Sequence, residues 1–183
     1  MRIDPKDAKW YGYANMVLAA VLFGGTNSLL RLATHFLEGM MASDGTRVEW
    51  SYRAAELSLW FGLWSAGSLI VLFALTHIEG YGLLLGSRVR GWRSSGAITE
   101  VILQHATVGW VIGGALTYAG AALACVWVAI AREHSWARWE LTYHAHYLLP
   151  IAGGLVGLLI FETLAFLGMR ALRYANRAKP GRE

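Results

Sequence analysis

The stretch LSLWFGLWSAGSLIVLFAL, residues 57–75, decides the fold of this chain. None of its side chains is charged, and no proline interrupts it. An α-helix rises about 1.5 Å per residue, so a helix of this length nearly crosses the roughly 30 Å apolar core of a bilayer. The stretch therefore predicts a transmembrane helix.

Three further apolar stretches, at residues 16–23, 108–131 and 147–169, extend this interpretation to the whole chain. Charged residues make up 15% of the 183 residues and the mean hydropathy is +0.40, whereas soluble domains carry about 25% charged residues. We predict an all-α integral membrane protein with a single domain, residues 1–183. Its four-transmembrane-helix bundle has helices at about 13–40, 57–86, 97–131 and 143–172. The first helix is the weakest of the four, because Asn15, Asn27, Ser28 and Arg31 interrupt it.

The distribution of lysine and arginine predicts that both termini are cytoplasmic. Three such residues lie in the N-terminal arm, three in the loop after the second helix and five near the C-terminus, including the basic tail 175–183. The two opposite loops hold only Arg47, Arg53, Arg132 and Arg138, mixed with acidic residues. The net charge of +4 thus indicates topology and attraction to anionic lipid headgroups, and it does not indicate nucleic-acid binding. We expect the cytoplasmic (inner) membrane of a bacterium or archaeon.

Histidines near the helix ends provide the strongest functional indication. His35 ends the first helix and His144 and His146 begin the fourth, on the predicted extracytoplasmic side. His77 lies near the end of the second helix and His105 near the start of the third, on the other side. A haem held between two helices needs one axial histidine from each helix at a similar depth. The pattern predicts two haem sites, His35 with His146 and His77 with His105.

Helical phase refines the outer pair. At 100° per residue, His35 shares a face with Gly24 and Ser28, and His146 shares a face with Gly153 and Gly157. Such glycines allow either close helix packing or space for a flat macrocycle. His144 points elsewhere and is the alternative ligand. The chain has a single cysteine and no Cys-x-x-Cys-His motif, so any haem would be haem b.

Three charged residues within the predicted helices are candidates for functional roles. Arg31 lies one turn before His35, where it could bind a haem propionate or extend to the headgroups. Glu100, five residues before His105, could exchange protons at a cytoplasmic quinone pocket, or simply stabilise the helix dipole. Glu162 is near the middle of the fourth helix, where a buried carboxyl must be neutral, paired or part of a proton path.

The architecture, together with His35, His77, His105 and His146, resembles the small b-type cytochrome subunits that anchor respiratory oxidoreductases, and the four-helix cytochrome b561 group. The resemblance covers the helices and includes no specific motif. It implies a di-haem b-type subunit that passes electrons between a quinone pool and partner redox subunits, without a catalytic site of its own.

Two alternatives are also compatible with the sequence. Imidazole and carboxylate ligands suit copper or zinc. An extracytoplasmic site of that kind, as in copper-dependent monooxygenases, would use His35, Glu38, His134, His144 and His146. The other alternative is a structural or pigment-binding subunit of a respiratory or photosynthetic membrane complex.

Overall fold

The computed structural model describes residues 5–41, 50–90, 95–133 and 139–175. Side chains are described there except at residues 5, 6, 33, 35–41, 50–53, 128, 129, 131–133, 139–146 and 172–175. These residues form five helices and no strand: α1 (Pro5–Met41), α2 (Trp50–Val89), α3 (Gly96–Ala106), α4 (Val108–Glu133) and α5 (Trp139–Ala175). Four stretches are long and apolar enough to span a membrane: Asp7–Leu32, Ala54–Val89, Gly96–Trp127 and Tyr147–Ala171. The all-helical class is confirmed, and so is the prediction of four stretches long and apolar enough to span a membrane.

The third stretch is interrupted at Thr107, although a single helix was predicted over residues 97–131. The Thr107 hydroxyl donates to the Gln104 carbonyl at 2.6 Å, and the Thr107 carbonyl accepts from the Trp110 amide three residues later at 3.0 Å. The Asn15 amide of α1 donates to the same hydroxyl at 3.1 Å. A threonine that bonds back to its own helix bends it, and here a second helix fixes that hydroxyl in place.

The direction of neighbouring helices follows from which residues meet. Along α1, Lys9 meets Glu100, Asn15 meets Thr107 and Leu29 meets Cys125, so α1 runs parallel to α3 and α4. Contacts of Met16 with Thr76, and of Arg31 with Glu56, show that α2 runs antiparallel to α1. The helix α5 runs antiparallel to α4, because Gly109 meets Phe161 and Gly120 meets Leu149. The first turn of α1 and the last turn of α5 therefore lie at the same end of the assembly.

The apolar core lies where α1, α2, α3, α4 and α5 approach one another, and its buried members are Met16, Ala19, Ala20, Leu72, Leu103, Ala106, Trp110, Phe161 and Ala165. The indole of Trp110 stacks on the ring of Phe161, with 4.5 Å between centroids. The indole nitrogen of Trp110 donates to the Thr76 hydroxyl at 3.2 Å, which satisfies the one polar group of this large side chain. This core fixes α2 against α4 and so positions the residues just beyond Thr76.

Glycines make the contact between α4 and α5 unusually close. A Cβ added at Gly113 would lie 2.7 Å from the Cα of Gly157, and one added at Gly153 would lie 2.5 Å from the Thr117 amide nitrogen. Gly24 approaches Ser65 and the Phe61 carbonyl of α2 in the same way. The glycine faces predicted beneath His35 and His146 are thus filled by neighbouring helices, which is the close-packing interpretation.

Candidate binding cavity between α2 and α3

A cavity of about 290 Å³ lies between α2 and α3, which we call the α2–α3 cavity. Its volume is at the lower end of the range of roughly 300–1,000 Å³ typical of small-molecule sites. The lining residues come from the C-terminal half of α2 and from α3: Thr76, His77, Gly80, Tyr81, Leu84, Gly96, Thr99, Glu100, Leu103 and Gln104. The cavity therefore combines apolar walls with several hydrogen-bonding groups.

Two contacts hold the walls of the cavity together. Gly80 of α2 packs against Leu103 of α3, where an added Cβ would lie 2.9 Å from the leucine side chain. At the inner end, Thr76 is fixed by Trp110, and its own hydroxyl donates to the Leu72 carbonyl at 2.8 Å. The outer rim is open, since Tyr81 is 74% exposed. A ligand can therefore enter from the side of the helix assembly.

The tautomer of His77 follows from the contact that its Nδ1 makes within α2. Its Nδ1 lies 2.8 Å from the Phe73 carbonyl, one turn earlier on α2, and its ring packs against Phe73 with centroids 4.0 Å apart. A carbonyl only accepts hydrogen bonds, so Nδ1 carries the hydrogen. In the neutral ring, the lone pair is then on Nε2, which can accept a hydrogen bond or bind a metal.

Glu100 contributes a carboxylate to the opposite wall. The Lys9 ammonium of α1 lies 3.0 Å from Glu100 Oε1, and both side chains are partly exposed. This ion pair was not predicted from the sequence, because Lys9 was interpreted only as a topology signal. The ion pair also connects α1 to the rim of the cavity.

Gln104 forms the part of the wall nearest α1. The side chain is only 4% exposed, its Oε1 has no hydrogen-bond partner, and that oxygen packs against Gly12. An added Cβ at Gly12 would collide with the amide, so the glycine is what allows Gln104 to occupy this position. The signal available in the sequence was an uncharged amide within an apolar helix. Sequence reasoning missed it, as it missed Tyr81 and Thr99.

His105 does not line the α2–α3 cavity. Its Nδ1 lies 2.9 Å from the Val101 carbonyl, which leaves Nε2 with a lone pair as in His77. Its ring lies against Tyr11 of α1, with 5.5 Å between ring centroids. The structure therefore brings His77 and Glu100 to one cavity, and it places His105 on a different face of α3.

Arg31 is engaged within the α1–α2 contact. Its guanidinium lies 3.8 Å from Glu56 Oε1 and 3.8 Å from the centre of the Trp60 ring, and its Nε donates to Asn27 Oδ1 at 3.3 Å. These partners account for the charge without a haem propionate. The side chains of His35, His144, His146 and Glu38, as well as the whole of His134, lie outside the described residues.

Glu162 is exposed on the surface of α5 and does not pack inside the helix bundle. Its carboxyl group lies within hydrogen-bonding reach of that of Glu79 on α2. Neither residue is among those that line the α2–α3 cavity.

Within the part of the chain that the structure describes, no three or more His, Cys, Asp or Glu residues are grouped as metal ligands. The side chains of the predicted extracytoplasmic copper or zinc ligands are not among those that the structure describes. No family model, curated protein or solved structure matches this chain.

Proposed function

We propose that this chain is a membrane-embedded subunit of an electron-transfer complex that binds a quinone head group in the α2–α3 cavity. The observation that supports this most directly is that His77 and Glu100 line one cavity of about 290 Å³. Imidazole and carboxylate groups are common general acids and bases, and both can exchange protons with a redox-active ring. The apolar residues Leu84 and Leu103 in the same walls suit the ring itself.

The surroundings of the cavity support a ligand that arrives from lipid. The outward side chains of α2 are mostly apolar and exposed, for example Ile70 at 70%, Ile78 at 66% and Leu85 at 65%. A protein that spans a bilayer presents such side chains to the acyl chains. The cavity opens beside them, so a quinone with an isoprenoid tail could place its head group inside and leave its tail in the membrane.

The predicted orientation locates the cavity near the cytoplasmic surface. It extends along α3 from Gly96 to Gln104, within roughly 12 Å of the start of that helix. Lys9, Arg88 and Arg90 belong to the segments that the distribution of basic residues predicts to be cytoplasmic. Protons released or taken up at Glu100 would thus exchange with the cytoplasm.

Binding of a quinone analogue to the purified chain in lipid nanodiscs tests this proposal. A benzoquinone with a short alkyl tail should bind to the wild-type protein, and Leu103→Trp should abolish binding because the indole fills the cavity. Leu123→Trp is the matched control, since Leu123 is 63% exposed on α4 and does not line the cavity. Equal binding by both variants would show that the ligand site is elsewhere.

A second candidate function is a haem b subunit, as the resemblance implies. The specific observation in its favour is that His77 and His105 each bond through Nδ1 to a backbone carbonyl, which leaves Nε2 for iron. Haem-ligating histidines are commonly oriented by such a bond. A single haem held between His77 and His105 is disfavoured, because His77 lines the cavity whereas His105 lies against Tyr11. The pair His35 and His146 lies outside the described side chains.

A reduced-minus-oxidised visible spectrum with extracted haem per chain tests the second candidate. Two b-type haems per chain would support both histidine pairs, and His77→Ala or His105→Ala should then each remove one haem. Absence of haem would overturn this candidate. If quinone binding also failed, elemental analysis would separate a copper or zinc protein from a structural or pigment-binding subunit.

A further inference from the structure

The hydrogen-bonding groups of the α2–α3 cavity are mainly acceptors. We propose that the cavity binds the reduced, dihydroxy form of its ligand, a quinol, in preference to the quinone. This inference rests on the proposed function, and it adds which redox form the site recognises. A quinone ring offers two carbonyl oxygens that only accept hydrogen bonds, whereas a quinol offers two hydroxyl groups that also donate.

The first acceptor is His77 on the α2 wall. Because its Nδ1 hydrogen is engaged by the Phe73 carbonyl at 2.8 Å, the neutral imidazole has only the Nε2 lone pair to offer. A quinol hydroxyl can donate to that lone pair. A quinone carbonyl facing the same nitrogen would place two lone pairs against each other.

The second acceptor is Glu100 on the α3 wall. Its carboxylate forms an ion pair with the Lys9 ammonium at 3.0 Å, and a carboxylate has no hydrogen to donate. Hydrogen bonds to a charged group contribute more than those between neutral groups. A quinol hydroxyl that donates to Glu100 therefore increases the preference of the cavity for quinol over quinone.

The two threonines of the cavity direct their hydrogens away from it. The Thr76 hydroxyl donates to the Leu72 carbonyl at 2.8 Å, and the Thr99 hydroxyl donates to the Ser95 carbonyl at 3.2 Å. Neither hydroxyl therefore has a free hydrogen to donate to a ligand. The remaining donors are the Gln104 amide and the Tyr81 hydroxyl at the rim, and neither discriminates, because a quinol oxygen accepts hydrogen bonds as a quinone oxygen does.

The expected preference is about 30-fold. A net hydrogen bond changes a binding constant by roughly fivefold, and a quinol makes two bonds, to His77 and to Glu100, that a quinone cannot make. Replacing Glu100 with glutamine supplies an amide that donates to a carbonyl, so Glu100→Gln should reduce the preference to about fivefold or less. Glu79→Gln is the matched control, since Glu79 lies on α2 and does not line the cavity.

The experiment is anaerobic calorimetric titration of the full chain in nanodiscs with one short-tailed benzoquinone and with its quinol. Tighter binding of the quinol, reduced by Glu100→Gln and retained in Glu79→Gln, supports the inference. Equal or tighter binding of the quinone overturns it and leaves the proposed function standing. An unchanged preference in Glu100→Gln overturns the role of that carboxylate. Failure of both ligands to bind overturns the inference and the proposed function together.

Discussion

The crossing of α4 and α5 at Gly113 and Gly157 makes a quantitative prediction. In the variant Gly113→Ala, the new Cβ would lie 2.7 Å from the Cα of Gly157. Carbon atoms in favourable contact are about 3.5–4.0 Å apart. The atom that obstructs is backbone, so it cannot rotate away, and the two helices must separate by roughly 1 Å.

The cost of that separation is about 1–3 kcal/mol, as for other overpacked sites. Part of it is offset, because alanine is favoured over glycine within a helix by about 1 kcal/mol. Gly154→Ala measures the gain in helix propensity without a clash, since its Cβ would meet only the Thr117 hydroxyl, at an ordinary contact distance of 3.5 Å. We therefore expect Gly113→Ala to be about 1–3 kcal/mol less stable than Gly154→Ala.

Reversible unfolding of the two variants in mixed micelles, followed by the change in helical circular dichroism, measures this difference. Wild-type protein is the reference, and Gly62→Ala is a second control, because an added Cβ at Gly62 meets nothing within 4 Å. If Gly113→Ala were as stable as Gly154→Ala, α4 and α5 would not cross at these glycines. The glycine-based account of their packing would then be refuted.

Two further predictions concern polar contacts between helices. Thr76→Val keeps the shape of the side chain but leaves the Trp110 indole N–H without its acceptor, and should lower the free energy of unfolding by about 1–3 kcal/mol. Thr163→Val, at an exposed position, should change it by less than about 0.5 kcal/mol, and similar losses in both variants would contradict the role of Thr76. Arg31→Gln should cost only about 0.2–1 kcal/mol, because its ion pair with Glu56 is partly exposed. A double-mutant cycle with Glu56→Gln that shows no coupling would contradict that contact.

The number of stretches long and apolar enough to span a membrane could be predicted, because it depends on composition alone. A long run without charge, such as residues 57–75, has few alternatives to a helix across a bilayer. The interruption at Thr107 could not be predicted in this way, since it depends on Asn15 from another helix. Sequence periodicity within one segment carries no information about such a partner.

The candidate site was predicted in part. Glu100 was expected beside a quinone pocket, and it lines a cavity, but its partner there is His77. The pairing of His77 with His105 relied on depth, which can be counted along the chain. Which face of α3 meets α2 depends on packing, through contacts such as Gly80 with Leu103, and this placed Gln104 in the cavity instead of its neighbour His105.

Photo-crosslinking tests whether a quinone head group binds between α2 and α3. A quinone analogue with a photoreactive group on its ring would be bound to the full chain in nanodiscs, irradiated, and located by peptide mass spectrometry. If the head group binds there, the analogue should label residues 76–84 and 96–104, and excess unlabelled ligand should suppress the labelling. Suppressible labelling confined to α4 and α5 would contradict it.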